Sequence, residues 1–142
     1  MEAAFWDSSA IVPLCLVEET SSSAQSLTGQ FRMIVWWATP VEVQSALTRV
    51  LRMGAISSAD RTEAQTTLEL VREVWTEVQP SRSIRETAES LLSRFPLRAA
   101  DALQLAAALA WCQHRPAGRA FLSGDLQLLA AASQLGFRTI QP

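Results

Sequence analysis

Apolar residues fall along the chain in short blocks separated by stretches of helical period. Ala3–Trp6, Met33–Ala38, Val74–Val78, Ala120–Leu122 and Phe137–Ile140 are compact apolar or β-rich runs, most of them bounded by turn or cap residues. Such runs are too short for helices and predict buried strands. Between them the pattern turns helical. Asp7-Ser8-Ser9 starts a helix that runs to Val17, with Pro13 a blemish near its first turn, and Thr20–Leu27 is a weaker one. Thr39-Pro40 opens a helix to about Met53, where Gly54 stops it. Ser57–Arg72 is helical, with Leu68 and Val71 on its apolar side. Ile84, Ala88, Leu91, Leu92 and Phe95 fall at i, i+4, i+7, i+8 and i+11, a single helical stripe. Helices from about Arg98 to Cys112 and from Asp125 to Leu135 complete the series.

Alternating strands and helices predict an α/β fold, a parallel sheet with helices on both faces. No repeat, linker or low-complexity tail interrupts it, so residues 1–142 are expected to form one domain.

Composition narrows the chemistry. The chain has 12 basic and 14 acidic residues, and 49% apolar against 18% charged positions, enough to fill a core. Every basic residue is arginine; without lysine there is no P-loop and no Schiff base. The 5 glycines form no GxGxxG. One histidine and two cysteines cannot readily make a four-ligand zinc site. Cys15 and Cys112 sit in apolar helical patterns and are expected to be buried, inert thiols. His114, just before Arg115-Pro116, fits the charge at a helix C-terminus better than a catalytic base. No apolar run reaches membrane-spanning length, and the first basic residue is Arg32, so neither a membrane span nor a leader is expected. A cytoplasmic protein is the expectation.

Carboxylates carry the remaining signal. Only four aspartates occur: Asp7, Asp60, Asp101 and Asp125. Asp7 and Asp125 directly follow strands, at the carboxyl edge where open α/β sheets place their sites, and Glu42 follows the second strand in the same way. On the alanine-rich helix, Ala108 and Cys112 lie within about 20° of Asp101 and Leu105 about 40° away, so Asp101 is expected to point inward. Taken singly, these acids also fit structural roles. Asp7 and Asp125 suit helix caps, Thr39-Pro40-Val41-Glu42 has the T-x-x-E form of a capping box, and Asp101 suits a first helical turn. Taken together, two or three should converge on one sheet edge and repel each other, with no lysine to neutralise them. A hard cation such as Mg²⁺ or Mn²⁺, held by one or two carboxylates, water and substrate phosphate, would relieve that repulsion.

The segments FWDSSAIVPL, TPVEVQSAL, LRAADALQLAAAL and FLSGDLQLLAAASQLGF, in this order, resemble PIN-domain ribonucleases of the VapC type, toxins of toxin–antitoxin pairs. The resemblance implies a four- to five-stranded parallel sheet and an acidic pocket made by Asp7, Glu42, Asp101 and Asp125. It implies Mg²⁺ or Mn²⁺ in that pocket, with Asp7 and Asp101 as principal ligands and Glu42 and Asp125 completing the site directly or through water. Ser9 and Ser123 match supporting hydroxyl positions, Ser123 where threonine is common. It further implies hydrolysis of RNA phosphodiesters, a small antitoxin partner and a homodimer. Trp36, Trp37, Trp75 and Trp111 offer aromatic surface for the core or for an interface.

Arg82, Arg85, Arg94 and Arg98 lead up to Asp101 and could hold phosphate, although Glu86 and Glu89 among them also suit a plain solvated face. A receiver domain or a haloacid-dehalogenase-like phosphatase would each need a lysine. A PIN-fold RNA- or protein-binding module without activity is the alternative, and a metal titration separates it from an enzyme.

Overall fold

The computed structural model describes residues 1–142. One sheet runs through the whole chain. Its strands are β1 (Glu2–Trp6), β2 (Phe31–Trp36), β3 (Thr76–Val78), β4 (Ala120–Leu122) and β5 (Arg138–Ile140), all parallel, in the order β3-β2-β1-β4-β5. The α/β architecture with a five-stranded parallel sheet is the one the residue pattern predicts.

Alternation along the strands divides the core in two. Ala4, Trp6, Met33, Val35 and Leu122 point to one face, which α1 (Ser8–Cys15), α2 (Ser21–Thr28), α3 (Thr39–Arg52) and α4 (Ser58–Val74) cover. Phe5, Ile34, Trp36 and Phe121 point to the other, under α5 (Arg82–Leu92), α6 (Ala99–Trp111) and α7 (Leu126–Leu135). The rings of Phe5 and Phe121 stack at 5.6 Å between centroids, pinning β1 to β4 at the register Phe5↔Phe121. Burying each such aromatic contributes about 1.5–3 kcal/mol.

The helices change faces where the strand order reverses. Progress from β1 to β2 to β3 goes one way across the sheet; β4 then returns to the far side of β1. The gap between the carboxyl ends of β1 and β4 is therefore a topological switch point, where such sheets open a crevice. Asp7 follows β1 there and Ser123-Gly124-Asp125 follows β4.

Local sequence sets the helix ends. Ser57 and Asp60 form a true capping box on α4, each side chain accepting from the other's backbone N–H. Gly136 closes α7 at φ +110°, a conformation that excludes most other residues. The box expected at Thr39–Glu42 does not exist. Ala38 already has near-helical angles and is the N-cap, so Thr39 stands inside the first turn and its hydroxyl faces α6 rather than the backbone. His114 lies beyond α6 with φ +57°, and its main-chain N–H closes the helix end on Leu109 O at 2.8 Å.

Candidate active site

Two networks organise the carboxyl edge. The first is centred on Asp7, which is 3% exposed. Its Oδ2 accepts from the backbone N–H of Ser9 at 3.3 Å, from Ser9 Oγ, and from Ser123 Oγ at 2.9 Å. Ser9 Oγ in turn accepts from Gly124 N at 2.8 Å, and Ser123 Oγ from Asp125 N at 3.0 Å. With both hydroxyl protons committed to Asp7, the 3.2 Å approach of Ser9 Oγ to Ser123 Oγ is a close contact rather than a further bond. The two serines thus tie the end of β1 to the end of β4. Asp7 also caps α1, as expected of an aspartate in that place.

The second network is centred on Glu42, in the first turn of α3. Ser8 Oγ donates to Oε1 at 3.1 Å, and Gln104 Nε2 donates to Oε2 at 2.9 Å. Gln104 belongs to α6, on the opposite face of the sheet, and its amide reaches over the edge of the sheet to Thr39 Oγ1 at 3.1 Å as well.

Between these networks lies an open cleft of about 690 Å³, lined by Ser8, Ser9, Glu42, Asp101, Asp125 and the arginines Arg49 and Arg98, among others. Asp101, in the first turn of α6, is half-buried: the helical direction is as expected, but at this end of α6 the inward face meets the cleft instead of the core. Asp125 caps α7, its Oδ1 accepting from Gln127 N at 2.9 Å and Leu128 N at 3.1 Å.

Burial and mutual repulsion act on these acids together. Desolvation pushes Glu42 up to about 7, helped by the charges of Asp7 and Asp101 and opposed by the bonds from Gln104 and Ser8. Asp7 is raised by burial against the lowering effect of its serine donors, with Asp101 adding to the rise. Asp101 is raised by burial and by Asp125, and the nearby Arg98 opposes this. The structure thus brings Asp7, Glu42, Asp101 and Asp125 into one electrostatic unit, with Ser9 and Ser123 beneath it. Net negative charge at a half-closed crevice suits a hard cation. No three of the carboxylates stand at ligating separation, so a cation here would have to be held largely through water.

The arginines divide differently from the sequence expectation. Arg98 lines the cleft, but Arg82, Arg85 and Arg94 do not, and Arg94 instead lies over the Phe95 ring at 5.2 Å. Arg82 and Arg85 lie on an exposed face of α5 shared with Glu86 and Glu89, and Arg94 is exposed just beyond the helix. Arg49, Ser8 and Gln104 are the members that sequence inspection missed. Two had a signal: Arg49 is seven residues after Glu42 and Gln104 three after Asp101, spacings that share a helical face. The cysteines behave as expected, Cys112 buried and Cys15 partly buried, its thiol pushed up to about 11 by desolvation.

No protein-family model and no curated protein matches the sequence. Solved structures do match in fold. PAE2754 from Pyrobaculum aerophilum superposes with a TM-score of 0.67 at 18% identity, over 97% of this chain and 89% of that one. A toxin–antitoxin complex from Klebsiella pneumoniae gives 0.61 at 17%, covering 90% and 91%. VapBC2 from Rickettsia felis, bound to a DNA fragment from its promoter, gives 0.65 at 10%, covering 96% and 98%. At these identities the likeness establishes the fold, which is PIN-like. No helix is long and apolar enough to cross a membrane.

Proposed function

We propose that this chain is a Mg²⁺- or Mn²⁺-dependent endoribonuclease of the VapC type, the toxin of a toxin–antitoxin pair. The observation that carries the proposal is the convergence of Glu42, Asp101 and Asp125 on one cleft at the switch point, with the buried Asp7 beneath it coupled to Glu42 and Asp101 by charge, and with Asp7, Glu42 and Asp101 held above ordinary carboxylate pKa values. Carboxylates crowded against their own repulsion mark a functional site more often than a structural one. The fold shared with a toxin–antitoxin complex and with VapBC2 supports the same proposal.

A bound divalent cation would supply an activated water and offset charge on the phosphate oxygens. Asp101, Glu42 and Asp125, which line the cleft, would hold it with Asp7, largely through water. The residues of this chain do the rest. Ser8 and Gln104 fix the Glu42 carboxylate; Ser9 and Ser123 hold Asp7 and join β1 to β4 beneath the site. Arg49 from α3 and Arg98 from the start of α6 line the same cleft, so their guanidinium groups are placed to bind RNA phosphate, a role their fork geometry suits. No side-chain nucleophile is required.

The proposal includes an antitoxin partner and a homodimer. Trp37 and Val41, exposed at the entrance to α3, offer apolar surface for such contacts, whereas Trp36 and Trp75 are core residues. Incubation of purified protein with RNA, with and without Mn²⁺, tests the activity: metal-dependent internal cleavage supports it, and intact RNA at millimolar Mn²⁺ refutes it.

A further inference from the structure

Gln104 is completely buried on α6, where its buried neighbours along the helix are Ala102, Leu105, Ala106, Ala107 and Ala108. Its side-chain carbonyl oxygen has no hydrogen-bond partner. Burying an unpaired carbonyl is unfavourable, and an apolar side chain of the same size would avoid that cost. Packing therefore does not account for an amide here.

Its two donors do. One N–H is anchored on Thr39 Oγ1, itself fully buried, at 3.1 Å; the other meets Glu42 Oε2 at 2.9 Å. Turning the amide over would set its oxygen against the carboxylate of Glu42, so the orientation is fixed by its partners. Ser8 holds the opposite oxygen of Glu42, and the carboxylate is gripped from both sides. Gln104 also stands one helical turn after Asp101, on the same side of α6. A single side chain thus links α3 to α6 and sets where Glu42 stands relative to Asp101.

We infer that Gln104 is a positioning residue, which orients the Glu42 carboxylate toward the cleft and fixes the spacing between α3 and α6. This rests on the nuclease function proposed above. Gln104 touches neither substrate nor cation; it acts through Glu42. Partners that orient metal-binding groups typically change affinity or activity by about 10- to 100-fold when removed.

Gln104→Met keeps the volume and removes both donors. It should lower kcat for RNA about 10- to 100-fold with KM little changed, and weaken Mn²⁺ binding by about tenfold in calorimetry. Gln104→His, which retains a ring N–H, should recover part of kcat. The decisive comparison is a double-mutant cycle in Mn²⁺ affinity. If Gln104 works through Glu42, adding Gln104→Met to Glu42→Gln causes little further weakening. An equal weakening in both backgrounds, or unchanged kcat and Kd in Gln104→Met, overturns the inference while leaving the nuclease function intact. A wild-type protein that neither binds Mn²⁺ nor cuts RNA removes that function, and this role with it. Should Gln104→Met fail to fold, Thr39→Val, which deletes only the anchoring hydroxyl, carries the same cycle.

Discussion

Ser123 donates its hydroxyl to Asp7 Oδ2 at 2.9 Å, across 116 positions of sequence and across the switch point of the sheet. Ser123 Oγ itself accepts from Asp125 N, so one buried hydroxyl joins the capping acid of α1 to the loop that carries the capping acid of α7. Ser123→Ala should cost about 1–3 kcal/mol, because a buried carboxylate loses a donor and a backbone N–H loses its acceptor. Urea unfolding measures it. A loss below about 0.5 kcal/mol contradicts the network.

Metal-free stability should fall as pH rises. Glu42 moves from 4.5 to about 7 on folding, so between those values the folded state binds more protons than the unfolded state. Stability then decreases with pH across that window. Asp7 and Asp101 are raised as well and begin to act above 3.8. Melting temperature in chelator should therefore be higher at pH 5 than at pH 8, and Glu42→Gln should flatten the profile. A melting temperature that rises across this window contradicts the placement of Glu42.

Asp101→Asn removes one of several repelling charges while keeping shape. It should abolish RNA cleavage and leave metal-free stability unchanged or higher at pH 8. Unfolding of this variant would make Asp101 a structural acid.

Thr39→Ala should destabilise the protein by about 1–3 kcal/mol, by leaving a buried N–H of Gln104 unpaired. The first turn of α3 should keep its hydrogen-exchange protection at Val41–Val43, since Thr39 caps nothing. Faster exchange confined to those amides would restore the capping role.

Much of this was legible in the sequence, for identifiable reasons. Strands such as Ala120–Leu122 announce themselves as short apolar runs, and strand ends place Asp7, Glu42 and Asp125 at one edge. Thr39 misleads because T-P-x-E satisfies a local rule, while Ala38 enters the helix one residue earlier and frees the hydroxyl for a contact made 65 positions away. Gln104 hides for the same reason: its partners are fixed by how α6 lies across the sheet. Arg82, Arg85 and Arg94 precede Asp101 closely in sequence, yet α5 and the turn after it show them to solvent, whereas Arg49 reaches the cleft from Glu42's own helical face. Proximity along the chain was the weaker guide.

The central claim is that these four acids hold a cation for cutting RNA, rather than surviving as the relic of a binding module. Purified wild-type protein and Asp101→Asn, incubated with total cellular RNA with and without millimolar Mn²⁺ and followed by mapping of new ends, test it most directly. The account predicts discrete internal cuts by the wild type that need Mn²⁺ and vanish in the variant. Intact RNA with the wild-type protein, or equal cutting by Asp101→Asn, would contradict it.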